Sequence, residues 1–376
     1  MTGATISAVR AAAYTIPTDA PEADGTAAWN STTLVVVTVT CDGVTGTGWT
    51  YGPAACAQIV SGQLAQVVEG RDPMAVPGTW LAMVEAVRND TRAGAAGYAV
   101  SAADVACWDL KARLLHRSLV DLLGTVHADV PVYGSGGFTT YDEQQLSAQL
   151  GGWVHDQQIP RVKIKIGQDR GGSVARDLAR IAQARSVIGP DAALFVDANG
   201  AYSAKQAIRV LRACTDDQVS WFEEPVSSND LAGLRFVREQ VDADVTAGEY
   251  GTDVGYFQRM CAASAVDCLQ VDARRCGGYT EWLRSAAVAA AHELTVSGHC
   301  APNLHAHVAA STPNLRHLEW FHDHVRIEEQ AFDGTLDPQG GTITPDPAAP
   351  GHGLTFRPEA MERHRVPAGQ GTRRSG

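Results

Sequence analysis

Three segments decide the fold: RVKIKIG at 161–167, AALFVDANG at 192–200 and VSWFEEP at 219–225. Each is an apolar run of strand length that ends in polar groups, and a stretch of helical spacing separates each from the next. The pattern continues outward, with VPVYGS (130–135) before them and DVTAGEY (244–250), CLQVDAR (268–274), LTVSGHC (294–300) and HLEWF (317–321) after. Eight strands with seven intervening helices in about 200 residues suit a closed parallel α/β barrel. An open doubly wound sheet is the alternative, but no GxGxxG turn opens any of its helices.

Ahead of the barrel, the run LVVVTV (34–39) and the segment TGWTY (47–51) flank Asp42-Gly43, a hairpin turn signal, and predict a small sheet. From Cys56 to Leu123 the spacing is helical and ends in SAADVACWDLKARLL, with Ser101 as the expected N-cap. The expected division is an α+β domain over 1–127, the barrel over 128–324, and a Pro- and Gly-rich segment over 325–376 that returns to the first domain. Beyond Pro367 a loose tail is expected.

With 376 residues the chain is long enough for two domains, and its net charge of −12 disfavours nucleic acid or an anionic membrane as partner. The eight cysteines contain no CxxC pair, so neither a zinc cluster nor a disulfide framework is indicated. The opening MTGATISAVRAAAYTIP lacks the pattern of an export signal and no run of 18 apolar residues occurs, which predicts a soluble cytoplasmic protein.

A parallel barrel directs the ends of its strands to one mouth. Those ends carry Lys163 and Lys165, Asp197 and Asn199, Glu223 and Glu224, Glu249, Asp272, His299 and Glu319, so seven consecutive strands, six repeat steps, deliver an ionisable group to the same rim. Any one is unremarkable where a loop begins. Together, converging like charges would destabilise the mouth unless a cation or substrate offsets them. Asp197, Glu223 and Glu249, three hard oxygen donors from adjacent strands, suit an octahedral ion such as magnesium with positions left for water or substrate. Strand alternation turns Glu224 to the other side, in a supporting role. A second metal site from the HAH and HDH pairs (His305, His307, His322, His324) is a minor alternative, and Arg274 and Arg275 either line the mouth or form ion pairs.

In combination, KIK, VDANG, WFEEP, AGE, DARRCGG, SGHC and HLEW resemble the enolase superfamily and, within it, the mandelate racemase group. The resemblance spans nearly the whole chain, including WDLKARLLHRSLVDLLG (108–124). It implies a modified TIM barrel, (β/α)7β, under a capping domain, with one Mg2+ held by Asp197, Glu223 and Glu249. It implies Lys165 as the base on one face of a carboxylate substrate, with Lys163 beside it to depress its pKa and to stabilise the substrate carboxylate. His299, oriented by Asp272, would face Lys165 across the substrate. Glu319 would donate to the developing enolate oxygen, which requires it to be partly protonated by burial, and Asn199 would hydrogen-bond the substrate.

Superfamily members of this kind abstract the proton α to a carboxylate and hold the resulting enolate with a divalent cation. Two bases permit racemisation or epimerisation; with a β-hydroxyl present, the same enolate expels it and an acid sugar becomes a 2-keto-3-deoxy acid. Dehydration is the first reading, racemisation the second. Lactonisation ranks third, because cycloisomerases of the wider superfamily typically have Lys where this chain has Asp272, and a non-catalytic carboxylate-binding relative is the remaining alternative. Capping loops at 17–31 and 49–56, with Trp29 and Tyr51, together with His322, would contact the substrate. Acids at 19, 22 and 24 favour hydroxyls, and so a monoacid, over a second carboxylate. The resemblance also implies a homo-oligomer.

Overall fold

The computed structural model describes residues 3–90 and 92–367. It opens with an antiparallel sheet of β1 (Ala8–Ala23), β2 (Ala28–Cys41) and β3 (Val44–Tyr51). Asp42 and Gly43 both take positive φ (49° and 78°) at the β2–β3 turn, as the two central residues of a type I′ hairpin require. A 20-residue helix, α1 (Ala95–Leu114), packs on this sheet. It lies so close that a Cβ on Gly46 or Gly48 would collide with its backbone at 2.2–2.3 Å. Ser101 is therefore not an N-cap. It sits inside α1, donates to Gly97 O and accepts from Gly277 N, which ties the helix to the barrel.

Eight parallel strands then close on themselves: β4 (Val130–Gly136), β5 (Arg161–Lys165), β6 (Ala193–Asp197), β7 (Val219–Glu223), β8 (Asp244–Ala247), β9 (Cys268–Val271), β10 (Thr295–Gly298) and β11 (Leu315–Phe321), with β11 pairing back onto β4. Seven helical connections join consecutive strands, the first built on Glu143–Gly151 and the last on α2 (Pro302–Ala310). This is the expected (β/α)7β barrel. Tyr133, Phe195, Trp221 and Cys268 pack together as a buried cluster contributed by β4, β6, β7 and β9. Among the described residues no helix is long and apolar enough to cross a membrane.

The helix after β11, α3 (His322–Ala331), docks on the first domain rather than continuing the repeat. Trp49 Nε1 donates to Glu328, Thr32 Oγ1 donates to Asp323, and Tyr51 stacks on His324. From there the chain returns to the same domain: His352 binds Asp109 and Thr47, and Val366 N donates to Ala13 O. Thr342–Ile343 instead pairs antiparallel with β4. The tail expected after Pro367 lies outside the described residues.

The two capping loops are largely regular structure. Residues 17–31 form the end of the β1–β2 hairpin, whose pairing breaks between Pro17 and Glu22, and Trp49 and Tyr51 belong to β3. The hairpin tip is latched on the barrel mouth. Thr139 N donates to Ala23 O at 2.8 Å, Arg170 N to Gly25 O at 3.0 Å, and the Thr139 and Thr140 hydroxyls to the carbonyls of Asp24 and Pro21.

Candidate active site

Strand register positions the polar groups. Lys165, Asp197 and Glu223 are level with one another across β5, β6 and β7, so their side chains leave the sheet together at the mouth. Asp197, Glu223 and Glu249 bring carboxylate oxygens within 4.8 Å of one another, all buried. Glu223 Oε1 and Glu249 Oε2 have no hydrogen-bond partner, and Asn199 Oδ1 beside them has none either. A buried carboxylate oxygen without a donor is costly, and three converging buried acids call for positive charge among them. All three groups are hard oxygen donors, so the set fits a divalent cation of the magnesium type.

The lysines lie on one flank of this cluster. Lys165 Nζ is 2.5 Å from Asp197 Oδ2. Lys163 Nζ lies 2.7 Å from Glu223, 2.8 Å from Glu319 and 3.6 Å from Asp197, with the Tyr133 ring 5.2 Å away. Lys165 is not depressed as expected. Burial and the Lys163 charge act to lower it, but Asp197 and the other carboxylates outweigh them and hold the ammonium above its ordinary value. Among the acids, burial pushes Glu223 up to about 8, whereas in Asp197 the lysines overcome burial and keep the carboxyl below its usual range.

On the opposite flank His299 Nδ1 donates to Asp272 Oδ2 at 2.8 Å, and Nε2 lies 3.3 Å from Glu249. Asp272 is gripped by Arg274 through Nε at 3.0 Å and Nη2 at 2.5 Å. Burial opposes ionisation of Asp272, but the Arg274 guanidinium and the His299 bond override it. Arg274 and Arg275 thus form ion pairs, Arg275 with Glu249 at 3.1 Å.

Glu319 departs from expectation in the same way as Lys165. It accepts from Ser135 Oγ at 2.6 Å and Cys300 N at 2.8 Å, and Lys163, His299 and Lys165 overcome its burial to hold it well below the usual range. Its carboxyl is therefore lowered by these cations, not raised by burial as expected. Glu224 is not among the three converging acids, as expected of a supporting residue. The backbone turns to φ 39° there, ending the strand alternation, and its carboxyl is pushed up by burial and by Glu249, Asp197 and Glu223. Its side chain is buried, and Oε1 has no hydrogen-bond partner among the described residues.

The remaining predicted contacts divide. Tyr51 is buried beside Arg274, with its hydroxyl on His324 O. Trp29 Nε1 donates to Glu22 at 2.6 Å, and His322 Nε2 binds Asp19 at 2.9 Å. His305 and His307 are bound to backbone groups, so HAH is structural. Two contributors escaped the sequence reading. Ser135 lies one residue before the end of the first barrel strand, the one strand end left unread, and Cys300 Sγ sits 3.3 Å from both His299 Nε2 and Glu319 Oε2.

The sequence and fold match known proteins. Residues 145–360 match the family model described as Enolase C-terminal domain-like, and 8–124 match the Mandelate racemase / muconate lactonizing enzyme N-terminal domain. A solved mandelate racemase/muconate lactonizing enzyme-like protein from Rubrobacter xylanophilus is 44% identical, over 96% of this chain and all of that one, with a TM-score of 0.93. The L-talarate/galactarate dehydratase of Salmonella typhimurium, solved with Mg and L-lyxarohydroxamate, is 26% identical over 97% of this chain and 94% of its own, with a TM-score of 0.88. The 3,6-anhydro-alpha-L-galactonate cycloisomerase of Streptomyces coelicolor is 29% identical over 95% of this chain and 99% of that protein. Cycloisomerases thus stand level with dehydratases in similarity, and the low rank given to lactonisation finds no support there. The matched models, the closed barrel and its cap together make this chain a member of the enolase superfamily, in its mandelate racemase subgroup.

Proposed function

We propose that this protein is an Mg2+-dependent enzyme that abstracts the proton α to a carboxylate, and that it dehydrates an acid sugar to a 2-keto-3-deoxy acid. The observation that carries this reading is the convergence of Asp197, Glu223 and Glu249, with one oxygen each of Glu223 and Glu249 left without a hydrogen-bond partner, flanked by Lys165 on one side and His299 on the other. These three acids would hold the ion, whose contribution is positive charge at the substrate carboxylate. With Asp197 so engaged, its hold on the Lys165 ammonium would weaken, and burial and Lys163 both act in the same direction.

Lys165 Nζ then takes the α-proton. The electron pair left on carbon is delocalised into the carboxylate, whose oxygen meets the Lys163 ammonium held by Glu223 and Glu319. Next the β C–O bond breaks, the hydroxyl leaves as water with a proton from His299 Nε2, and the enol tautomerises to the ketone. Asp272 accepts the Nδ1 proton bond throughout, which fixes the ring so that Nε2 faces the site. Groups on both flanks also serve 1,1-proton transfer, so epimerisation is the second reading.

Proton NMR in deuterated water with Mg2+, against α-hydroxy and sugar acids, tests both. Loss of the α-proton with a keto product identifies a dehydratase, and loss with inversion alone identifies an epimerase. Lys165→Ala and His299→Asn should each lower turnover by at least about 10²-fold while leaving the fold intact. Magnesium-dependent binding with no exchange across the panel would overturn the reading in favour of a carboxylate-binding relative.

A further inference from the structure

We propose that His299, Cys300 and Glu319 form a second metal site, which takes a thiophilic divalent cation such as Zn2+ and, when filled, removes the acid of the reaction read above. The three donor atoms form a compact buried triangle: His299 Nε2 to Cys300 Sγ 3.3 Å, Sγ to Glu319 Oε2 3.3 Å, and Nε2 to Oε2 3.8 Å. With Zn–N and Zn–O bonds of about 2.0–2.2 Å and Zn–S of about 2.3 Å, the edges of a tetrahedral zinc site are about 3.3–3.6 Å. The donors thus stand close to the required spacing before any ion arrives.

The backbone brings them together in an unusual way. Neighbouring residues of a strand point to opposite sides, but β10 ends at Gly298, and Cys300 and Ala301 take φ of 53° and 39°. Positive φ is costly for residues with a side chain, and such strain collects at functional sites. Here it places Sγ beside the ring of the preceding residue. Glu319 comes from β11, its Oε1 held by Ser135 and Lys163 and its Oε2 by Cys300 N, which leaves one lone pair of Oε2 for the thiol or for an ion. His299 donates Nδ1–H to Asp272, so the neutral ring offers its Nε2 lone pair, the carboxylate-oriented imidazole common to zinc sites. No CxxC spacing marks this set, because its ligands are two adjacent residues and a third from the next strand.

The donor types separate the two sites. Thiolate and imidazole select zinc, whereas the three hard acids at 197, 223 and 249 select magnesium. Binding sends the Cys300 proton to solvent and leaves the sulfur as thiolate on the ion. The charges facing the triangle are mixed. Glu249 Oε2, 3.3 Å from His299 Nε2 and without a hydrogen-bond partner among the described residues, and Asp272 stand against Lys163 on Glu319 and Arg274, whose Nη2 is 3.1 Å from His299 Nδ1. A filled site occupies Nε2, the atom that delivers the proton to the leaving hydroxyl. That consequence rests on the proposed reaction; the site itself does not.

Co2+, which occupies zinc sites and reports sulfur ligation by absorbance, tests the site in the full chain with Mg2+ in excess. The expected result is a sulfur-to-cobalt charge-transfer band that saturates at a single ion per chain and is bleached by Zn2+. Cys300→Ser should abolish the band and weaken Zn2+ binding, measured by titration calorimetry, at least about tenfold. Asp197→Asn, which weakens the magnesium site, should keep the band. Absence of the band in the wild-type protein at saturating Co2+ overturns the proposal whatever the variants do, as does a band that excess Mg2+ removes or that survives in Cys300→Ser. These measurements read the ion and not turnover, so they succeed or fail apart from the reaction. Formation of keto acid that continues in the Zn2+-loaded protein overturns the inhibitory role.

Discussion

Lys163 and Lys165 stand two positions apart on one strand, yet each is controlled by acids that reach it from elsewhere: Asp197 for Lys165, Glu223 and Glu319 for Lys163. Replacing Asp197 or Glu249 by the amide should weaken Mn2+ binding at least about 100-fold, since the cation loses a charged ligand, and electron paramagnetic resonance of added Mn2+ reads this without any turnover. Which residues gather at the mouth was legible in the sequence because the barrel repeat places strand ends in phase. Their protonation states were not legible. Those of Glu319 and Lys165 depend on which opposite charge each finds at close range, and sequence spacing carries no distance between β5 and β11.

The β1–β2 hairpin is the element that sequence patterning described least well. Its polar tip reads as a loop, because Pro17 and the break at Pro17–Glu22 interrupt alternation, although pairing resumes between Glu22 and Trp29. A Cβ at Gly25 would lie 2.8–2.9 Å from the carbonyl oxygens of Ile166, Gly167 and Ala198, the residues just beyond Lys165 and Asp197. Gly25→Ala should therefore lift the tip from the mouth, lowering kcat/KM at least about tenfold with a small change in melting temperature, while limited proteolysis reports faster cleavage within residues 17–31. Helix α3 carries a second testable feature. Burial pushes Glu328 up to about 7, against bonds from Asn303 and Trp49 that favour its charge. An acid whose folded pKa is raised contributes stability below its unfolded pKa and loses it as pH climbs to the folded value, here between about pH 4.5 and 7. Relative to wild type, Glu328→Gln should gain up to about 3 kcal/mol between pH 4 and pH 8, as measured by urea unfolding.

At the scale of the whole molecule, the metal cluster, the cap and the barrel are one thermodynamic unit, because Asp197, Glu223 and Glu249 converge only when the barrel is closed. Magnesium at a hundredfold excess over its Kd should stabilise the fold by about 2.7 kcal/mol, and EDTA should remove that gain in a calorimetric scan. In the described conformation Lys165 and His299 are each 5% exposed and the hairpin is bonded to the loops after β4 and β5. On the proposed reading the reacting groups are nearly enclosed, and a catalytic cycle would break and remake the bonds of Ala23, Asp24 and Gly25 to the barrel. Chemistry then competes with a mechanical step. An α-deuterated substrate would show its isotope effect more fully in kcat/KM than in kcat, and a viscous solvent would slow the enzyme at saturating substrate.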